Sequence, residues 1–265
     1  MKKKLKLPEI IVIAVLTYLF VTWSMVIAID LLNLGGLSDW LVSRLASKDI
    51  DIALVWIYMF TEGGPTEIFQ WSFLSLSVLA CGVISGLHIK NKQLSRCFLM
   101  LGFGMALMLM EDAGNIRHLM SKAVSILFYS EYTGSNSNPY AIATELIFYA
   151  FLGFLMLFPL IMHGKSLLKS VKCKKSVIFL LIGYCAYGLA SFASATRNIG
   201  HWYQRLGEGI MNFFSVTERA AWYSVSLGFY LVDFWIEESV ELIGASFIFV
   251  GLISYAISLK NDDSR

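Results

Sequence analysis

Charge is scarce in this sequence. Asp, Glu, Lys and Arg make up only 15% of the 265 residues, against about a quarter in soluble globular domains. With 57% hydrophobic residues and a mean hydropathy of +0.66, that shortage excludes an ordinary soluble domain. A net charge of +2 provides no basic face, and no nucleic-acid partner is expected. The 4 cysteines, Cys81, Cys97, Cys173 and Cys185, show no C-x-x-C spacing. A disulfide framework is therefore not expected, and these thiols are read as small apolar packing residues. There is no N-x-S/T sequon, and among the 4 histidines no H-E-x-x-H, E-x-x-H or H-x-x-x-H pattern fixes a ligand geometry.

What the chain does have is a series of apolar runs of about twenty residues with basic flanks, the mark of helices that cross a bilayer. The expected fold is an all-α integral membrane protein, a single polytopic domain over 1–265. It has six transmembrane helices at about 10–30, 68–89, 97–116, 140–163, 176–197 and 230–259. The basic start MKKKLKL, Met1 to Leu7, precedes an apolar run too long for a cleaved leader, so the first span is read as retained with its N-terminus inside. Alternating the loops then places both termini on the cytoplasmic side and 14 of the 21 Lys and Arg inside, as the positive-inside rule favours. All Asp and Glu except Glu9, Asp262 and Asp263 fall on the outer side or in the outer half. Short amphipathic pieces at 38–61, 119–130 and 201–228 are assigned to the outer interface. Within the first of these, Ile52 to Phe60 is too short to cross and is read as interfacial or re-entrant. The expected location is the cytoplasmic (inner) membrane of a bacterium, with the lipid bilayer as the constant partner.

The acidic stretch FYLVDFWIEESVELIGA, Phe229 to Ala245, opens the last span. At helical spacing Asp233, Glu237 and Glu241 stack on one face, with Glu238 beside them and Gly244 and Gly251 continuing the stripe. Counting the helical rise from the basic anchors puts Glu145, Glu238, Glu241, Arg197 and Asp30 about 28 to 33 Å away, near the outer edge of the hydrocarbon. Glu111 and Asp112 come at only about 21 to 23 Å. They also sit at the C-terminal, negative end of their helix, where a carboxylate needs a cation, a proton or an arginine. Arg117 and Arg197 are the candidate partners.

On the third span Glu111, Asn115 and His118 share a face. On the fifth, the helical pattern continues through Arg197, His201 and Glu208, above a strip of small residues at Ala193, Ala190, Ala186 and Gly183 that admits a close neighbour. Three helices thus turn polar at one end over small residues, as around a cavity. His118 and His201 with carboxylates such as Glu145 form a ligand set suited to a divalent transition metal, zinc, manganese or a di-iron centre. His88 and His163 end spans two and four on the other side, either as haem ligands or as hydrogen-bonded helix ends. The pair Glu237-Glu238 resembles the E-E-x-x-x-R motif of CAAX-type intramembrane proteases in the two glutamates alone, since residue 242 is Leu242 and no histidine follows.

The leading functional expectation is a membrane enzyme with an outward-facing acidic site, metal-dependent if the histidines take part. Its substrate would be lipid-borne or a small extracytoplasmic molecule. Glu111, Asp112, Glu237, Glu238 and Glu241 are the catalytic candidates, and Arg117 and Arg197 the binders of an anionic head group. The alternatives are a proton- or cation-coupled transporter using Glu111 and Asp112, and a non-catalytic assembly or sensor subunit.

Overall fold

A computed structural model describes residues 6–46, 54–129, 139–170, 174–197, 199–219 and 225–263. Residues 47–53, 130 and 220–224 of the expected outer interfacial segments lie outside these. The described chain is helical almost throughout, in the order α1 (Leu7–Met25), α2 (Leu37–Ala46), α3 (Val55–Phe60), α4 (Pro65–Leu87), α5 (Lys92–Gly114) and α6 (Ile116–Tyr129). Then follow α7 (Pro139–Ser170), α8 (Lys174–Thr196), α9 (Trp202–Phe213), α10 (Val216–Arg219), α11 (Val225–Tyr230) and α12 (Glu238–Asp263). Two π-helical turns interrupt the α geometry, Val26–Leu31 after α1 and Leu231–Glu237 between α11 and α12.

Six helical segments are long and apolar enough to cross a membrane: Leu7–Leu31, Val55–Leu87, Lys92–Gly114, Ile142–Leu167, Lys174–Thr196 and Leu227–Leu259. Their outer surface is apolar, with Ile161 77% exposed and Phe20 73%. A belt of that kind has no place in water but suits hydrocarbon. The chain is a multi-pass membrane protein.

The last span is the hub. Of its most apolar window 67% is buried, against 17% for the span in α7, so α12 sits inside and α7 at the rim. α12 packs on α8, α4 and α1, α4 on α5, and α5 and α6 on α7. Contact between α8 and α12 is close because glycines meet backbone there. A Cβ on Gly183 would lie 2.6 Å from the Ile248 nitrogen, and one on Gly244 would lie 2.9 Å from the Tyr187 nitrogen. The small-residue strip at Gly183 and Ala190 is thus where another helix lies. The opposite holds at Gly153 on α7 and Gly188 on α8, where an added Cβ would meet nothing within 4 Å.

Two expectations about helix continuity need correction. The fifth span does not run on through His201 and Glu208. It ends at Thr196, and Gly200 and His201 both adopt positive φ, which breaks the helix before α9 begins. The third span ends at Gly114 with Asn115 in the left-handed region (φ 49°), so Glu111 and His118 do not share one continuous face. The segment at 54–60 forms α3, whose Trp56 and Phe60 are fully buried.

Asp30 explains that burial of α3. Its carboxylate accepts hydrogen bonds from the backbone N–H groups of Val55 (3.0 Å) and Trp56 (2.9 Å). Those are orphan donors at the start of α3, and an anion there is favoured by the helix dipole as well. One buried carboxylate is thereby accounted for as architecture.

Candidate functional site

The acidic residues enter the site from four helices at one end of the bundle. α4 starts with Pro65 and brings in Glu67, Gln70 and Trp71 on its first turns. α5 stops at Gly114, so Glu111 and Asp112 occupy its last turn, at the negative pole. The π turn Leu231–Glu237 presents Asp233 and Glu237, and α12 begins with Glu238 and carries Glu241. α8 contributes Tyr184 and Tyr187, with Arg197 just beyond its end.

Together they surround a cavity of about 430 Å³, within the range of small-ligand sites. Its walls carry eight carboxylates, Glu62, Glu67, Glu111, Asp112, Asp233, Glu237, Glu238 and Glu241, and two guanidinium groups, Arg117 and Arg197. The remaining wall is aromatic and apolar, including Tyr149, Phe192 and Phe234. Among the described residues the cavity reaches the surface in two places, at the bundle end beside the exposed Glu62 and on one flank. Its lining residues Ala150, Gly153 and Leu157 on α7 and Gly188 and Phe192 on α8 are exposed at the molecular surface, so it reaches the outside between these two helices. Among apolar spans, that flank faces lipid.

The carboxylates form two groups. In the first, charge is matched. Arg197, 6% exposed, meets Asp233 at 2.7 Å and Glu145 at 4.0 Å. Arg117 lies 3.7 Å from Glu111, donates to the Ser194 hydroxyl at 3.3 Å and stacks over the Tyr149 ring at 4.7 Å. Glu237 accepts a 2.5 Å hydrogen bond from the Tyr203 hydroxyl. Burial, and then the neighbouring Glu237 carboxylate, push the Tyr203 phenol well above its ordinary pKa, so it stays a donor.

In the second group an uncharged amide stands where a cation would be expected. The fully buried Gln70 places its Nε2 2.7 Å from Asp112, 2.7 Å from Glu241 and 3.0 Å from the Tyr187 hydroxyl. An amide nitrogen carries two hydrogens, and the two shorter bonds go to the carboxylates. Asp112 also accepts from the Trp71 indole at 3.0 Å. Glu238 stands beside them with its Oε2 buried and without a hydrogen-bond partner, and Gln70 Oε1 is likewise unpartnered. Among the described residues no lysine or arginine forms an ion pair with Asp112, Glu238 or Glu241.

All five carboxylates singled out in the sequence as catalytic candidates line this one cavity, as do Arg117 and Arg197, and Glu145 is tied to it through Arg197. His201 sits exposed at the kink before α9, outside the lining, and the side chain of His118 lies outside those described. Among the described residues no three His, Cys, Asp or Glu side chains are grouped as a metal site. His88, at the other end, bonds to the Tyr255 hydroxyl at 2.8 Å and stacks on Phe98. Sequence reasoning missed Gln70, Trp71, Tyr187 and Tyr203. The one available signal was a glutamine three residues after Glu67 on a face otherwise facing the core, a polar group that must have a buried partner. No protein-family model, no curated protein and no solved structure matches the chain.

Proposed function

We propose that this chain is a membrane enzyme whose acidic cavity performs proton-transfer chemistry on a substrate drawn sideways from the lipid. The observation that carries this reading is the pairing of three carboxylates, Asp112, Glu238 and Glu241, that form no ion pair among the described residues, with exposed lining residues between α7 and α8. Carboxylates buried in a spanning bundle without a counter-ion are costly, and they are kept where protons or charged guests are handled. Asp112 and Glu241, oriented by the shared Gln70 amide, and Glu238 beside them would serve as general acid and base. The Tyr187 hydroxyl is in reach of the same network. Glu111 and Glu237 are engaged by Arg117 and Tyr203, so their part in this reading is to hold the site's shape. In the orientation favoured by the basic loops, the cavity faces the extracytoplasmic side of a bacterial inner membrane.

The test compares lipid extracts and medium from cells making the wild-type chain or Glu241→Gln at equal membrane abundance. Mass spectrometry should show a lipid or lipid-derived product that changes with the wild type and not with the variant. Identical profiles in the two strains would remove the enzyme.

A second reading rests on the same uncompensated charge. Three carboxylates grouped without a cation also suit a proton- or cation-coupled carrier. Asp112→Asn and Glu111→Gln should then abolish ion-dependent flux in liposomes while the protein remains folded. Flux unchanged by both would exclude it.

A further inference from the structure

Below the acidic cavity the seam between α7 and α8 continues into a second one of about 190 Å³, lined by apolar side chains apart from Tyr184. Its walls include Leu160 and Leu167 of α7, Val177 and Leu181 of α8, and Phe98 and Leu252 behind them. Tyr184 lines both cavities, so the two adjoin. From Ser191 at the level of the carboxylates to Val177 in the lower cavity the seam runs about 21 Å along α8. Gly153 and Gly188, which border it, have nothing packed where a side chain would go. The shape is a polar head chamber on a long apolar slot, open to the membrane along its side.

We propose that this double cavity binds a single-chain amphiphile with a protonated amine head, the amine among Asp112, Glu238 and Glu241 and the hydrocarbon chain in the α7–α8 seam. This rests on the enzyme reading for its chemistry and names the substrate class of that site. Charge decides the sign of the head. Eight carboxylates face two guanidinium groups, and both arginines are engaged by carboxylates of the first group, so the free capacity of the chamber is for a cation. Among the described residues, Glu238 Oε2, the Tyr184 hydroxyl and the nearby Gln70 Oε1 are buried without a hydrogen-bond partner, and all three can accept. An ammonium carries three donors and no acceptor, and it satisfies several carboxylates at once. Aromatic walls at Tyr149, Tyr187 and Phe234 suit the same guest. The slot decides the tail, because its walls are mostly apolar and the space at Gly153 and Gly188 is open among the described residues.

Binding tests this without requiring turnover. The purified chain in phosphatidylcholine nanodiscs is titrated with radiolabelled hexadecylamine, hexadecyl sulfate and butylamine, with empty discs as the baseline. Hexadecylamine should bind saturably, at least about tenfold tighter than the sulfate, since the wrong charge meets a desolvated like charge, and tighter than butylamine, which leaves the slot empty. The double variant Glu238→Gln, Glu241→Gln should weaken the long amine by at least about tenfold. Leu160→Trp, at a half-buried position of the lower cavity's wall, should remove the advantage of the long chain while leaving butylamine binding as it was. Equal binding of amine and sulfate, binding no greater than in empty discs, or a double variant that binds like the wild type would each overturn the proposal. If the amine binds and the lipid profile of cells does not change, the amine site stands and the enzyme falls. If the profile changes and no amine binds, the enzyme stands and this substrate class falls.

Discussion

The two carboxylate groups of the cavity are made of the same residue types on neighbouring helices, yet one is held by arginine and the other by an uncharged amide. Around Arg197 and Arg117, acids meet bases at distances of 2.7 to 4.0 Å, and Tyr203 caps what remains. Around Gln70, two carboxylates share one amide and a third keeps a buried oxygen unpaired. An ion pair buried in protein resists the loss of either partner, whereas an uncompensated acid gains from losing its charge. The first arrangement is how a membrane protein fastens helices. The second is the arrangement on which the proposed proton-transfer site rests.

That contrast sets the order of effects. Arg197→Met strands Asp233 and Glu145 in the bundle and should cost about 3 to 5 kcal/mol, seen as a large drop in melting temperature or in folded yield. A variant of wild-type stability would show that the first group is not a fastening. Gln70→Leu removes the donors from Asp112 and Glu241 and should cost about 1 to 3 kcal/mol, with the loss recovered in Gln70→Asn only if the shorter amide still reaches both. Glu241→Gln should go the other way. Relieving like-charge repulsion leaves stability unchanged or raised by about 1 kcal/mol, while the lipid-profile change disappears; a marked destabilisation would place Glu241 with the fastening group instead. The smallest effect concerns Tyr203. Its folded-state pKa lies above the ordinary value of 10.0, so its contribution is fully present below that pH and is lost as pH rises through the folded value. The stability difference between wild type and Tyr203→Phe, followed by melting temperature, should hold constant up to about pH 10 and shrink above it.

How much of this was legible in the sequence follows the same physics. Hydropathy shows spans because about twenty apolar residues are needed to cross, and it located six. Acidic residues at one end of three spans, above Gly183 and Gly244, were enough to place a cavity, since both signals are local and periodic. Backbone reversals were invisible for a related reason. The periodic pattern resumes in α9 after the break at Gly200 and His201, so counting by 3.6 ran straight through the kink. Asn115 hid the end of α5 in the same way. Gln70 and Tyr187 escaped notice because neither carries a charge, and their importance lies in contacts 42 to 171 residues away in sequence. The distinction between matched and unmatched acids is a property of such contacts, which no spacing rule can express.

The π turn Leu231–Glu237 acts as a phase coupling in the central helix. A π ring holds one more residue than an α ring, which resets the angular position of everything beyond it by about 100° without interrupting the rod. In an unbroken α-helix Asp233, Glu237 and Glu241 would keep to one face. The extra residue lies between Asp233, which meets Arg197, and the α-helical turns where Glu238 and Glu241 keep step with the glycines that lock α12 to α8. One helix therefore lines the chamber along its whole acidic stretch, with its upper turn fastened to Arg197 and its lower turns facing Gln70. Deleting one apolar residue of this turn, such as Phe234, would keep every acid in the sequence and rotate Asp233 by about 100° against Glu241.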